Sequence, residues 1–265
     1  MCTDNIVNIN DRQIVKEKVL LYIDILGFTE MVTSHSLIIP QIFEIINELS
    51  VFRHFAFQTI VFSDTIVVYN KDDNSPGHYY LTCLVEFAQQ LFYRLLSVGV
   101  FFRGIVSHGE FEYHKLDNIE AYWGNAFIEA FKDEKILKGV GLFVKNDLSE
   151  DILTFEKTVV SDNFCYIFLC QSLINLYKRV HGVLPVELEL LNESDDFHRI
   201  DEDLMFFREV CSRKEQDSSE ISEKYLNVYN WYKEIAPRFF HEFEEKGFMP
   251  YVLNPSYYGS INFYT

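Results

Sequence analysis

Lys18-Val19-Leu20-Leu21-Tyr22-Ile23-Asp24-Ile25-Leu26-Gly27-Phe28-Thr29 is an apolar run interrupted by one carboxylate and closed by a glycine and a threonine. The run predicts a buried strand, and Gly27 predicts the turn that ends it. A lone aspartate in such a strand is costly, because an unpaired charge in apolar surroundings loses its hydration without compensation. Asp24 must therefore face solvent at the strand's end, be paired, or bind a cation.

Working outward, residues 1–15 are polar and predict a loose arm before a first strand over 16–26. From Thr29 to Phe55 the pattern is helical, with Ile42, Ile46 and Leu49 on one face and Pro40 expected to divide it into two helices. Residues 57–69 form two β-branched runs meeting at Ser63-Asp64, a hairpin with a carboxylate at its tip. Asp64 is open to a plain reading as a turn former.

Residues 71–78 predict a loop, and 79–98 an amphipathic helix with Leu84, Phe87, Leu91 and Leu95 on one face. A strand follows through Gly99–Val106, with a turn at Gly109, and a helix opens near Trp123-Gly124. The alternation fits a layered fold with a mixed, mostly antiparallel sheet and helices on one face. Farther on, 139–145 predicts a strand, 161–181 a helix, and 221–246 a helix kinked at Pro237. The acidic segment 187–220 reads as an exposed excursion or mobile insertion, and the Tyr-rich tail 250–265 as an extended strand.

A net charge of −17 argues against a nucleic-acid partner and against anionic membrane surfaces, since both require a basic footprint. An anionic substrate would need local cations or a metal to enter such a field. Five cysteines without Cys-x-x-Cys spacing argue against a disulfide framework or structural zinc, and with the absence of a signal-peptide pattern they place the expected location in the cytoplasm.

Asp24 and Asp64 each interrupt or end an apolar β run, and neighbouring strands would bring them to one edge. Two adjacent carboxylates repel unless a cation lies between them. Hard divalent ions such as Mg²⁺ and Mn²⁺ take such oxygen ligands together with substrate phosphates.

Asp24-Ile25-Leu26-Gly27-Phe28-Thr29 resembles the Asp-Ile-x-Gly-Phe-Thr motif of class III nucleotidyl cyclases. Phe62-Ser63-Asp64 matches that family's second metal-binding aspartate, and Arg103-Gly104-Ile105-Val106-Ser107-His108-Gly109 resembles its phosphate-side strand. Tyr122-Trp123-Gly124 opens the matching helix, on which Ala130 and Glu134 also agree.

The resemblance spans 16–145 and implies an α+β fold, a ferredoxin-like cyclase core with extra C-terminal helices from 146 to 265, in a single domain. It implies two divalent cations, Mn²⁺ or Mg²⁺, held by Asp24, the Ile25 carbonyl and Asp64. It implies a phosphate cradle at Gly27, Phe28 and Thr29, and Arg103 on the polyphosphate, although a strand-edge ion pair is the plainer reading of that arginine. It also implies a head-to-tail homodimer with shared sites, in which the Ile128/Lys132 face meets the acid pair of the other subunit.

The departures bear on the substrate. Where purine cyclases carry Asn and Arg on the helix, this chain has Ile128 and Lys132, and lysine lacks the planar fork of arginine. The positions that read adenine are Ile60 and Ala121, neither able to hydrogen-bond a base edge.

The pattern resembles the pyrimidine cyclases of bacterial Pycsar antiphage defence. That resemblance implies UTP first and CTP second, with Lys132 as catalytic cation, Tyr122 as a candidate base contact beside Thr59 and Gln58, and a separate effector activated by the cyclic product. The competing readings are an adenylate or guanylate cyclase, and a cyclase-like domain that binds nucleotide without turnover.

Overall fold

The computed structural model describes residues 16–72, 77–193, 199–215 and 219–258. In chain order the strands are β1 (Glu17–Ile25), β2 (Phe57–Phe62), β3 (Thr65–Asn70), β4 (Phe102–Glu110), β5 (Glu112–Lys115), β6 (Glu120–Trp123), β7 (Gly141–Lys145), β8 (Lys157–Val159) and β9 (Phe164–Ile167). The helices are α1 (Phe28–Thr33), α2 (Ile38–Asn47), α3 (His78–Leu96), α4 (Asn125–Ile136), α5 (Asn146–Ser149), α6 (Ser172–Arg179), α7 (Leu188–Glu193), α8 (Ile200–Lys214), α9 (Ser219–Ile235) and α10 (Pro237–Glu245).

The architecture is α+β. Seven strands form one sheet in the order β2-β3-β1-β4-β7-β9-β8, and β5 and β6 form a separate ribbon. Within the large sheet every neighbouring pair is antiparallel except β4 and β7.

β1 lies inside the sheet, and its alternation sends Val19, Leu21, Ile23 and Ile25 into the larger apolar cluster with the buried side of α3. Leu20 and Tyr22 point the other way, joining Val67, Tyr69, Phe111 and Ala130 in a smaller cluster beneath α4. A strand buried on both faces reads as a continuous apolar run, which is why 19–25 shows almost no polar alternation. Helices therefore cover both faces, where the sequence predicted one.

Other expectations are corrected too. The break between α1 and α2 falls before Pro40, which sits in the first turn of α2, where a missing N–H costs nothing. Residues 161–181 hold β9 and then α6 in place of one helix; Phe164, Cys165, Tyr166 and Ile167 are all buried, and so short an apolar run has no decisive period. Pro237 starts α10 and does not kink a longer helix.

The acidic stretch is chiefly helix and is not an exposed excursion: α8 buries Leu204, Phe206, Phe207 and Val210. Its Asp201, Glu202 and Asp203 occupy the first turn, where the helix dipole favours negative charge. Residues 250–258 contain a short 3₁₀ turn, Pro250–Val252, and no strand; the rest of the expected tail strand and the expected arm at 1–15 lie outside the described residues.

The C-terminal helices dock through aromatic contacts. Phe206 of α8 meets Phe92 at 5.1 Å, and from α9 Tyr225 meets Phe101 at 5.7 Å and Trp231 meets Tyr166 at 4.8 Å. These contacts carry α9 across the sheet end where β4 and β7 begin. Among the described residues no helix is long and apolar enough to cross a membrane.

Candidate functional site

Asp24 lies one residue before the end of β1, paired in register with Thr65 on one side and Arg103 on the other. Asp64 sits in the two-residue turn between β2 and β3, after Ser63 in a left-handed conformation at φ 55°. The Ile25 N–H donates to the Asp64 carbonyl at 3.0 Å, pinning the hairpin tip to the end of β1. The two aspartates are thus neighbours. Burial, and then the charge on Asp64, push the Asp24 carboxyl up from 3.8 to about 6.

Beyond Ile25 the chain turns at Gly27, whose φ of +76° suits a residue without a Cβ. The Leu26 N–H is already donated to the Phe101 carbonyl, at 2.9 Å. Phe28 is buried, while Gly27 and Thr29 are exposed. Any cradle here is therefore made by backbone after Leu26.

Arg103 shares the Asp24 face of the sheet but is only 6% exposed. Its guanidinium forms an ion pair with Glu134 of α4, and its Nη1 donates to the Leu137 carbonyl at 2.8 Å. Nε is buried without a partner. Glu134 stood in the sequence as a match without a role, and its role here is to hold the arginine. Lys224 on α9 also acts on this site: its charge, like that of Arg103, favours the ionised form of Asp24.

Tyr22, two residues before Asp24 and so on the same face, brings a hydroxyl within 3.5 Å of Thr65 Oγ1, and the Asp24 and Asp64 charges both act on it. Period-two alternation alone would have marked Tyr22. No spacing marks Lys224, because α9 reaches the site only through tertiary packing.

Gly124 opens α4 so close to the end of β4 that a Cβ there would lie 2.2 Å from the Glu110 carbonyl oxygen. This close approach sets α4 across the sheet, with Ile128 and Lys132, one turn apart, both exposed. Among the described residues neither forms an ion pair or hydrogen bond with Asp24 or Asp64 of the same chain. Between α4 and the β2–β3 hairpin lies a cavity of about 640 Å³ lined by Tyr22, Ile60, Phe62, Asp64, Tyr122, Phe127 and Phe131, among others. Tyr122 stacks on Tyr113 at 5.0 Å and donates to Glu120 at 2.9 Å. The cavity is mostly apolar, its polar lining coming from Ser63, Asp64, Thr65 and the two tyrosines. Phe62, which lines it, is 79% exposed, and Ile128 of α4 is 47% exposed.

Among the described residues no three His, Cys, Asp or Glu side chains form a metal-binding group. Two repelling carboxylates beside a strand-end carbonyl still suit a hard divalent cation, which takes few protein ligands and leaves positions for water and phosphate.

No protein-family model matches the chain, and no curated protein matches it in sequence. Solved structures similar to it are nucleotidyl cyclase domains. One is the dimeric guanylyl cyclase domain of the RhoGC fusion protein from the aquatic fungus Blastocladiella emersonii, at 15% identity and a TM-score of 0.46, covering 58% of this chain and 96% of that one. An adenylate cyclase from Trypanosoma brucei gives 14%, 0.46, 58% and 90%. The adenylyl cyclase CyaB from P. aeruginosa gives 12%, 0.42, 58% and 94%.

Proposed function

We propose that this protein is a cytoplasmic, metal-dependent nucleotidyl cyclase that converts UTP, or CTP, to its 3′,5′-cyclic monophosphate and pyrophosphate. The observation that carries the reading is the hydrogen bond that ties the Asp64 turn to the end of β1 and sets Asp64 beside Asp24. In the reaction the ribose 3′-oxygen bonds to the α-phosphorus as its proton leaves, and the bond from that phosphorus to the bridging oxygen of pyrophosphate breaks.

Asp24, Asp64 and the Ile25 carbonyl would hold Mn²⁺ or Mg²⁺. When bound, these ions lower the pKa of the 3′-hydroxyl and neutralise charge on the leaving pyrophosphate. The backbone of Gly27, Phe28 and Thr29 orients phosphate oxygens, and Arg103 adds positive charge behind the polyphosphate. Exposed apolar groups on α4 and the hairpin support a homodimer in which Lys132 and Ile128 of one subunit meet the acid pair of the other, while Tyr122 lines the cavity beside Asp64 of its own chain.

Pyrimidine preference is supported by Ile60, which lines the cavity and offers no hydrogen bond to a purine edge. A role in antiphage signalling through a separate effector rests on the sequence resemblance alone.

Incubation with Mn²⁺ and each of the four ribonucleoside triphosphates should yield cyclic UMP or cyclic CMP as the main product. Asp24→Asn and Asp64→Asn should abolish it while circular dichroism stays unchanged. Full turnover by either variant would overturn the acid-pair assignment. Dominant cyclic AMP or cyclic GMP would identify a purine cyclase, and nucleotide binding without any product a non-catalytic domain.

A further inference from the structure

α9 is anchored at several points around Arg103. Tyr225 packs on Phe101, two residues before Arg103, with ring centroids 5.7 Å apart. Glu223 pairs with Lys138 at 3.4 Å, and the Asn227 Nδ2 donates to the Lys138 carbonyl at 2.9 Å. Lys138 directly follows Leu137, the residue whose carbonyl receives the Arg103 Nη1. Lys224 lies between Glu223 and Tyr225, so contacts on either side fix where its stem leaves the helix.

The side chain is partly buried and forms no ion pair among the described residues. Burial disfavours its ammonium most, and the charges around it are of both signs. Arg103 and Lys138 both disfavour its ammonium, while Glu220, four residues earlier, and Asp24 favour it. Arg103, by contrast, already has Glu134 as an internal counter-charge. The end of the sheet beside the acid pair therefore carries a lysine held in place without an ion pair among the described residues, near Arg103 and Lys138, each of which already has its own carboxylate partner. A polyanion would supply the partner that this ammonium lacks, and in a chain of net charge −17 a partly buried lysine so placed is not a general surface property.

We infer that Lys224 is a polyphosphate-binding residue, supplied to the site by the C-terminal helix α9 and aimed at the terminal phosphates of the nucleotide. The inference rests on the proposal that a nucleoside triphosphate is the substrate. It makes the helices after residue 146 part of the site. A lysine ammonium is a compact charge with three donors, suited to phosphate oxygens that rotate or leave.

The test is calorimetric titration of the full chain with inorganic tripolyphosphate and, separately, with UMP and CMP, all with Mg²⁺ present. Lys224→Ala should weaken tripolyphosphate binding about tenfold, the order expected for one partly screened charge-assisted hydrogen bond. Monophosphate affinity and melting temperature should stay unchanged. Lys224→Arg should restore most of the loss, and the KM for the nucleoside triphosphate should follow tripolyphosphate affinity across the series.

Equal tripolyphosphate affinity in wild type and Lys224→Ala, or an equal loss for the monophosphate, would overturn the inference. A tenfold loss of tripolyphosphate binding in a protein that forms no cyclic nucleotide would sustain Lys224 and sink the cyclase reading. Cyclic product formed by Lys224→Ala at an unaltered KM would do the reverse.

Discussion

Replacing Asp24 with asparagine removes a charge that the fold disfavours. Burial and the neighbouring Asp64 raise the Asp24 carboxyl from 3.8 to about 6, so at pH 7 the folded chain holds a carboxylate where a neutral group would be preferred. Taken in full, that displacement corresponds to about 3 kcal/mol. Asp24 is only partly buried, and solvent screening brings the expected gain to about 1.5 kcal/mol.

The sign follows from proton counting. Between about pH 4 and about pH 6 the folded chain keeps a proton that the unfolded chain has released, so stability falls as pH rises through that window. Above it the whole penalty is present. For a chain of this length, about 1.5 kcal/mol corresponds to roughly 4 °C in Tm.

Calorimetric melting at pH 4 and pH 7 should show Asp24→Asn more stable by roughly that amount at pH 7, with the gap closing at pH 4. Mn²⁺ should raise the Tm of wild type more than that of the variant, because a ligand held by the folded state stabilises according to its affinity. A variant that melts below wild type at pH 7, or equal Mn²⁺ stabilisation of both proteins, would refute the reasoning.

Glu134→Ala should cost about 3–5 kcal/mol in urea unfolding, because it leaves the buried Arg103 guanidinium without its counter-charge, while Glu134→Gln should cost less. Asp203 is fully buried, accepts hydrogen bonds from the Tyr93 hydroxyl at 2.6 Å and the Leu173 N–H at 2.8 Å, and is raised by burial to about 7. Its folded form keeps a proton from about pH 4 to about pH 7 that the unfolded form has lost, so it makes stability fall as pH rises. Relative to wild type, Asp203→Asn should therefore gain up to about 4 kcal/mol between pH 4 and pH 8 in paired urea titrations, whatever the fixed offset between them.

The parts of the fold legible in the sequence are those with a strong local period. β1 and β4 follow from apolar runs, the β2–β3 hairpin from two β-branched runs meeting at Ser63-Asp64, and α3 from its helical spacing. The acidic segment was not legible, because charge composition masks the fact that Leu204, Phe206, Phe207 and Val210 share a buried side. Its Asp203 is a buried hydrogen-bond acceptor, which no count of charges reveals. β9 was lost for the opposite reason: four consecutive apolar residues fit a strand and a helix turn equally well.

For the candidate site, the proximity of Asp24 and Asp64 was legible, since a hairpin tip and a strand end in one antiparallel sheet have few places to go. The cationic side was only half legible. Arg103 announces a charge in a buried strand, and its register opposite Asp24 follows once β1 and β4 pair. Its inward pairing with Glu134 depends on how α4 crosses the sheet, and that crossing is set by the contact of Gly124 with β4. Lys224 depends on α9 docking through Tyr225 and Trp231 onto the ends of strands more than eighty residues earlier.

This ordering has an electrostatic consequence. A triphosphate approaching a chain of net charge −17 is repelled at long range, so the attraction must be local and unneutralised. Glu134 pairs with Arg103 inside the fold, which keeps the guanidinium fixed while its charge still acts on Asp24. On the proposed reading, the further positive charge comes from bound divalent cations and from cations outside the part of the fold that runs from β1 to β4. α9, placed by aromatic packing against the residue before β4, carries Lys224, whose charge acts on Asp24.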